Sequence, residues 1–133
     1  MRPGIMLYGA SPFGHQTAES LNLKPVMSFT SPVIAIREVD CGESIGYGHC
    51  WTAQRKSKIA TLAVGYGDGY PRLAPSGTPV HLNGARVAIA GRVSMDMLMV
   101  DVTDLTHVEV GDVAELWGEH LPVDEVAKHI GTI

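Results

Sequence analysis

Glycine and proline interrupt this chain every few residues, 15 and 8 of them in 133 positions. Neither belongs inside a long helix: glycine loses too much backbone freedom there, and proline lacks the N–H. The stretches between them are short, apolar and rich in β-branched side chains. That pattern predicts an all-β domain of short strands joined by tight turns. Residues 26–39 read as one long strand or a bent pair, in which Pro32 implies a sheet edge or a bulge. Further strands are expected over 58–64, 97–102 and 112–117. Asn83-Gly84 separates the apolar runs 79–82 and 85–90. A two-residue type I′ turn needs positive φ at both positions, and this dipeptide supplies it, so a hairpin is expected there. One helix closes the pattern. Val123, Val126, Ala127 and Ile130 fall at helical spacing, Asp124 and Glu125 sit near its positive end, and Gly131 is placed to stop it.

Composition narrows the function classes. The chain is 45% hydrophobic and 18% charged, the latter below the roughly 25% of an average domain, which excludes general disorder. A mass of 14.2 kDa suits one domain. A formal charge of −4 and a scatter of basic residues, clustered only at Arg55, Lys56 and Lys58, give no footprint for nucleic acid. No apolar run approaches the roughly 20 residues that span a membrane, and Met1-Arg2-Pro3-Gly4 does not open a signal peptide. Cys41 and Cys50 make neither a disulfide framework nor a Cys-x-x-Cys site, so free thiols and a cytoplasmic location are expected. Met1 precedes what reads as mid-strand, and Gly131-Thr132-Ile133 reads as the start of another strand. A piece of a longer protein is expected.

Two tyrosines stand between glycines, in Gly46-Tyr47-Gly48 and in Gly65-Tyr66-Gly67-Asp68-Gly69-Tyr70. Flanking glycines allow close approach of backbone or ligand. Each tyrosine either offers its hydroxyl to a cleft or packs over a tight turn. A phenol with an ordinary pKa near 10 serves as a base only beside positive charge. The second motif fails the spacing of both dinucleotide and phosphate loops and of a calcium loop. In Gly91-Arg92-Val93-Ser94-Met95-Asp96-Met97, Arg92 and Asp96 form either a surface ion pair or the rim of a cleft with a cation for an anionic group. The six histidines, His15, His49, His81, His107, His120 and His129, show no metal-ligand spacing, so no metal site is expected. No Ser/His/Asp set and no Gly-x-Ser-x-Gly is present.

Taken in order, Arg2-Pro3-Gly4-Ile5-Met6-Leu7-Tyr8-Gly9, Gly46-Tyr47-Gly48 with Thr52-Ala53, Val64-Gly65-Tyr66-Gly67-Asp68-Gly69-Tyr70, Gly91-Arg92-Val93-Ser94-Met95-Asp96 and the tail from Gly111-Asp112 through Val123-Asp124-Glu125-Val126-Ala127 resemble the C-terminal part of bacterial alanine racemases. The resemblance covers nearly the whole chain. It implies an enzyme with a (β/α)8 barrel, absent from this chain, followed by a mostly β domain. Residues 1–12 match the end of the barrel and a linker, and 13–133 match the β domain short of its C-terminal end. The family interconverts L-alanine and D-alanine with pyridoxal 5'-phosphate for peptidoglycan synthesis, as a cytoplasmic homodimer.

The resemblance also implies roles. Tyr47 matches the tyrosine that acts as base on one face of the substrate, in the active site of the partner subunit. The lysine that serves the other face and bonds the cofactor has no match here. Arg2 matches the donor to the pyridine nitrogen. A guanidinium does not readily release its proton, so the ring stays a weak electron sink and return of the proton to Cα is favoured. Gly4 and Ile5 match backbone donors to the cofactor phosphate. Met95 matches a residue whose main chain meets the substrate carboxylate. Tyr66 and Arg92 match the lining of the entry corridor, with Asp96 beside them to orient Arg92. The isolated chain is expected to be inactive. The competing reading is a stand-alone β module that binds a partner or small ligand without catalysis.

Overall fold

An eleven-residue strand, β1 (Phe29–Val39), organises the fold. The structure is a computed structural model and describes residues 28–45 and 51–131. The other elements are β2 (Ser44–Ile45), β3 (Trp51–Thr52), β4 (Ser57–Leu62), β5 (Pro79–Leu82), β6 (Ala85–Ile89), β7 (Leu98–Asp101), β8 (Val113–Trp117) and the helix α1 (Val123–Ile130). Six strands close into a barrel in the order β1-β4-β7-β6-β5-β8, and β2 pairs with β3 beside it. The all-β expectation holds.

β1 closes the barrel because it is long enough to serve two neighbours. Its first part, Phe29 to Pro32, pairs with β8, and its second, Val33 to Val39, pairs with β4. Pro32 therefore lies in no edge strand, contrary to one branch of the expectation; the bulge branch holds, with a register shift between Val33 and Ala35. The Pro32 carbonyl accepts from Ala63 N–H at 3.3 Å. A residue's N and O point to the same side of a strand, so the missing N–H faces just past the end of β4, where no ladder bond is lost. The bulge also resets the alternation. Ser31 and Val33 point inward before it, and Ile36 after it packs on the core.

The Asn83-Gly84 hairpin forms as expected. β5 pairs with β6 from Pro79↔Ala88 to Leu82↔Ala85, and Asn83 and Gly84 take φ of 51° and 78°. The Asn83 side chain then donates to His107 O at 3.0 Å and to Asp112 Oδ2 at 2.9 Å. This bond, with the Glu109 N–H and the nearby His107, holds the Asp112 carboxyl below its ordinary pKa. α1 begins after Pro122 and stops at Gly131, whose φ of 84° is left-handed.

Two apolar clusters result. The larger fills the barrel around Leu62, Leu82, Leu98, Val100 and Leu116. The smaller gathers Val39, Ile45, Ala53, Ile59 and Ala90, with Trp51 and Met99 against it. Tyr70 lies at the wall of the larger cluster, stacked on Trp117 at 5.7 Å between centroids and edge-on to Phe29 at 6.4 Å. It is 1% exposed, and its hydroxyl finds no hydrogen-bond partner among the described residues. Burial pushes its phenol well above the ordinary pKa.

That burial sets an alkaline limit on stability. The unfolded state releases the Tyr70 proton near the ordinary value of about 10, whereas the folded state resists, so stability is lost as pH rises above that value. Tyr70→Phe is expected to leave stability near pH 7 within about 1 kcal/mol of the parent and to flatten the loss above pH 10. Denaturant unfolding at both pH values checks this.

Candidate functional site

Two glycine-bearing loops meet at the end of the barrel where Leu62 pairs with Leu98. The first follows β4 and makes a short 3-10 turn at Tyr66–Asp68. The second links β6 to β7. They join through main chain: Tyr66 N–H donates to Ser94 O at 3.0 Å, and Gly67 N–H to Met95 O at 2.9 Å. This contact explains the glycines. A Cβ on Gly65 would lie 2.2 Å from Ser94 O and 2.5 Å from Met95 O, and one on Gly67 would lie 3.0 Å from Met95 O. Only glycine allows that approach. Asp68 closes its own loop, accepting from Gly65 N–H at 3.1 Å.

The partner loop is equally tied. Ser94 N–H donates to Met97 O at 2.9 Å, and the Ser94 hydroxyl donates to the same carbonyl at 2.8 Å. Met95 and Asp96 thus form the tip of a tight turn, and Met95 is left 55% exposed. Behind it, Gly91 N–H donates to Ser76 Oγ at 2.9 Å and Gly77 N–H to Ile89 O at 2.9 Å. These bonds seat the segment 72–76 opposite 91–95.

Between them runs a groove of about 810 Å3, lined by Tyr66, Arg72, Ser76, Arg92, Ser94 and Met95 among others. Its charged lining residues are both arginines. Arg72 lies over the Tyr66 ring, its Cζ 5.2 Å from the centroid, a cation–π contact that restrains the ring and leaves the guanidinium edge to solvent. Two guanidiniums unopposed by a lining carboxylate suit an anion such as a carboxylate.

The structure thus brings together Tyr66, Arg92 and Met95 of the residues marked in the sequence. It does not bring in Asp96, which is exposed and absent from the lining. No ion pair joins Asp96 to Arg92, so the expected orienting bridge is not formed. Tyr47, Arg2, Gly4 and Ile5 lie outside the described residues, as do His49 and Cys50; Cys41 is a free, exposed thiol. Sequence reading missed Arg72. Its signal was faint: an arginine beyond Tyr70-Pro71, which only the curl of the loop returns to Tyr66.

The segment 46–50, which carries Tyr47, has described flanks. Ile45 pairs with Trp51, and Ser44 with Thr52. Ile45 is buried in the smaller cluster together with Ala90, the residue preceding the groove's Gly91. One apolar cluster therefore supports both the flank of Tyr47 and the base of the groove.

Comparison with known proteins agrees with this arrangement. The family model for the alanine racemase C-terminal domain matches residues 26–133. An alanine racemase of Vibrio cholerae is 61% identical and one of Stutzerimonas stutzeri 59% identical, each over the whole chain and 37% of the relative. The chain thus spans about a third of the length of the curated relatives it matches. The crystal structure of the biosynthetic alanine racemase of Pseudomonas aeruginosa superposes with a TM-score of 0.94 at 55% identity, over 98% of this chain and 36% of that one. An alanine racemase of Bartonella henselae, solved with covalently bound pyridoxal phosphate, gives 0.85 at 39% identity over the same shares. With a barrel, two docked glycine loops and a matching family model over most of its length, this chain belongs to the alanine racemase C-terminal domain family.

Proposed function

We propose that this chain is the β-domain part of an alanine racemase, which interconverts L-alanine and D-alanine with pyridoxal 5'-phosphate for peptidoglycan synthesis. It acts as a cytoplasmic homodimer in which the chain presents Tyr47 to the partner subunit's active site. In this reading residues 1–12 carry the end of the preceding barrel and a linker, and 13–133 the β domain short of its C-terminal end. The observation that carries this reading is the arginine-lined groove built by two docked glycine loops, in a chain of this family. No observation favours a stand-alone binding module.

The groove fits part of the ligand set. Its arginines suit a carboxylate or phosphate, but no lysine is among the described residues that line it, so that lining offers no amine for covalent attachment of the cofactor. In this proposal the cofactor would be held by Arg2 at its pyridine nitrogen and by the backbone N–H groups of Gly4 and Ile5 at its phosphate. When bound, the cofactor withdraws electron density from the substrate Cα and loosens its hydrogen.

The chain's own residues then handle approach and proton. Arg92, with Arg72 behind it, draws the amino-acid carboxylate into the groove. Tyr66, held by Arg72, narrows the passage. Met95 at the tip of its turn offers its main-chain N–H to the carboxylate, and Asp96, exposed next to it and outside the lining, is given no contact with the substrate. Racemisation takes hydrogen from one face of Cα and returns it on the other, so a proton carrier must stand on each side. Tyr47 carries it on one side. Its phenol becomes a base at neutral pH because positive charge across the dimer interface, the other protomer's copy of Arg2 together with a histidine of the barrel, favours the phenolate.

The equilibrium constant between enantiomers is one, so loss of Tyr47 lowers kcat/KM equally in both directions. Hydrogen exchange separates the faces. In the whole enzyme, Tyr47→Phe is expected to lower racemisation about 100-fold or more. Exchange of the α-hydrogen with deuterated solvent should survive for one enantiomer and vanish for the other. Equal exchange from both enantiomers would remove Tyr47 from the role. The groove makes its own prediction. Gly65→Ala should cost about 3 kcal/mol by denaturant unfolding, since backbone must move. Gly69→Ala, at φ 100° with nothing within 4 Å of its Cβ, should cost only about 1 kcal/mol, from backbone strain alone.

A further inference from the structure

Barrel closure brings His81 against two side chains more than thirty positions further along the chain, Glu115 and His120, and none of the three lines the groove. His81 on β5 pairs in register with Glu115 on β8. Both point away from the barrel core, since Val80, Leu82, Ala114 and Leu116 occupy the inward positions. His120, in the turn after β8, folds back over them. Its ring stacks on that of His81 at 4.7 Å between centroids. One ligand atom from each of His81, Glu115 and His120 lies within 4.8 Å of the other two.

The carboxylate is the fixed member. Glu115 is 12% exposed at its side chain. Its Oε2 accepts from His120 N–H at 2.8 Å and Leu121 N–H at 2.9 Å. Its Oε1 faces His120 Nδ1 at 3.3 Å. The turn closes over it because Gly118 has no Cβ; one built there would lie 3.1 Å from Glu115 Cδ. The positive charge of Arg86, cross-strand from His81, is offset by its ion pair with Glu125.

We propose that His81, Glu115 and His120 form a binding site for a divalent late-transition-metal ion, with zinc the representative case. Two imidazoles and one carboxylate are the ligand types that zinc takes, with water completing the tetrahedron on the exposed side. The His120 side chain is 60% exposed, so its ring turns about χ2 to converge on the ion without moving backbone. Magnesium and calcium, which take all-oxygen shells, are excluded by the ligand set. The bound ion ties the Gly118–Leu121 turn to β5 and so fastens the approach to α1.

The test titrates the full chain with zinc chloride alone, by calorimetry in a non-coordinating buffer. The expected result is one zinc per chain at this site. His81→Ala and His120→Ala should each weaken binding at least tenfold, while His107→Ala and His129→Ala should leave it unchanged. Zinc should raise the melting temperature of the parent and not of either ligand variant. Circular dichroism confirms that the variants, altered only at outward-facing positions, remain folded. Magnesium chloride should give no saturable heat. Absence of saturable zinc binding, or binding that persists within threefold in either ligand variant, overturns the proposal. Neither outcome bears on Tyr47 or the groove.

Discussion

The double pairing of β1 is the constraint on which the rest depends. A strand that serves β8 with its first four residues and β4 with its remainder must bend between them. The bulge at Val33 to Ala35 supplies the bend, and the closed barrel that follows leaves no unpaired edge among its six strands. Closure fixes what lies at the barrel's end. Because Leu62 and Leu98 are partners across β4 and β7, the loops leaving β4 and entering β7 are held a few ångströms apart. Their glycines convert that proximity into main-chain hydrogen bonds.

The groove follows from those bonds more than from its own side chains. Tyr66 is positioned because its N–H is bonded to Ser94 and its ring lies under Arg72. Met95 projects because the Ser94–Met97 turn leaves it nowhere else to go. Arg92 is exposed, and a long exposed guanidinium is well suited to meeting a mobile anion. The site is thus rigid where it orients and loose where it gathers.

Local signals in the sequence were legible where local physics decides. Asn83-Gly84 can scarcely do anything but turn, and the period and terminator of α1 are written in Val123, Val126, Ile130 and Gly131. Pro32 announced an irregularity but not its kind, because whether β1 had a second neighbour depended on β4 and β8 far along the chain. The same holds at the sites. The glycines around Tyr66 marked a close approach without naming Ser94 and Met95 as the other side. Arg72 gave no motif, and the expected Arg92–Asp96 bridge failed because the turn at Ser94 carries Asp96 to its exposed tip. His81, Glu115 and His120 have no spacing that a one-dimensional reading recognises. Only the neighbouring of β5 and β8 makes them one cluster.

The smaller apolar cluster bears on the proposal that Tyr47 acts in concert with the groove. Ile45 precedes the segment that carries Tyr47, and Ala90 precedes the groove loop; both are buried against Val39 and Ile59. A base that transfers a proton must be held to a fraction of an ångström relative to the groups that orient the substrate. Two loops on independent supports would each add their own motion. Here the described flank of the first, Ile45, and the root of the second, Ala90, belong to one packed body. The cost of loosening that body should therefore appear at both loops at once.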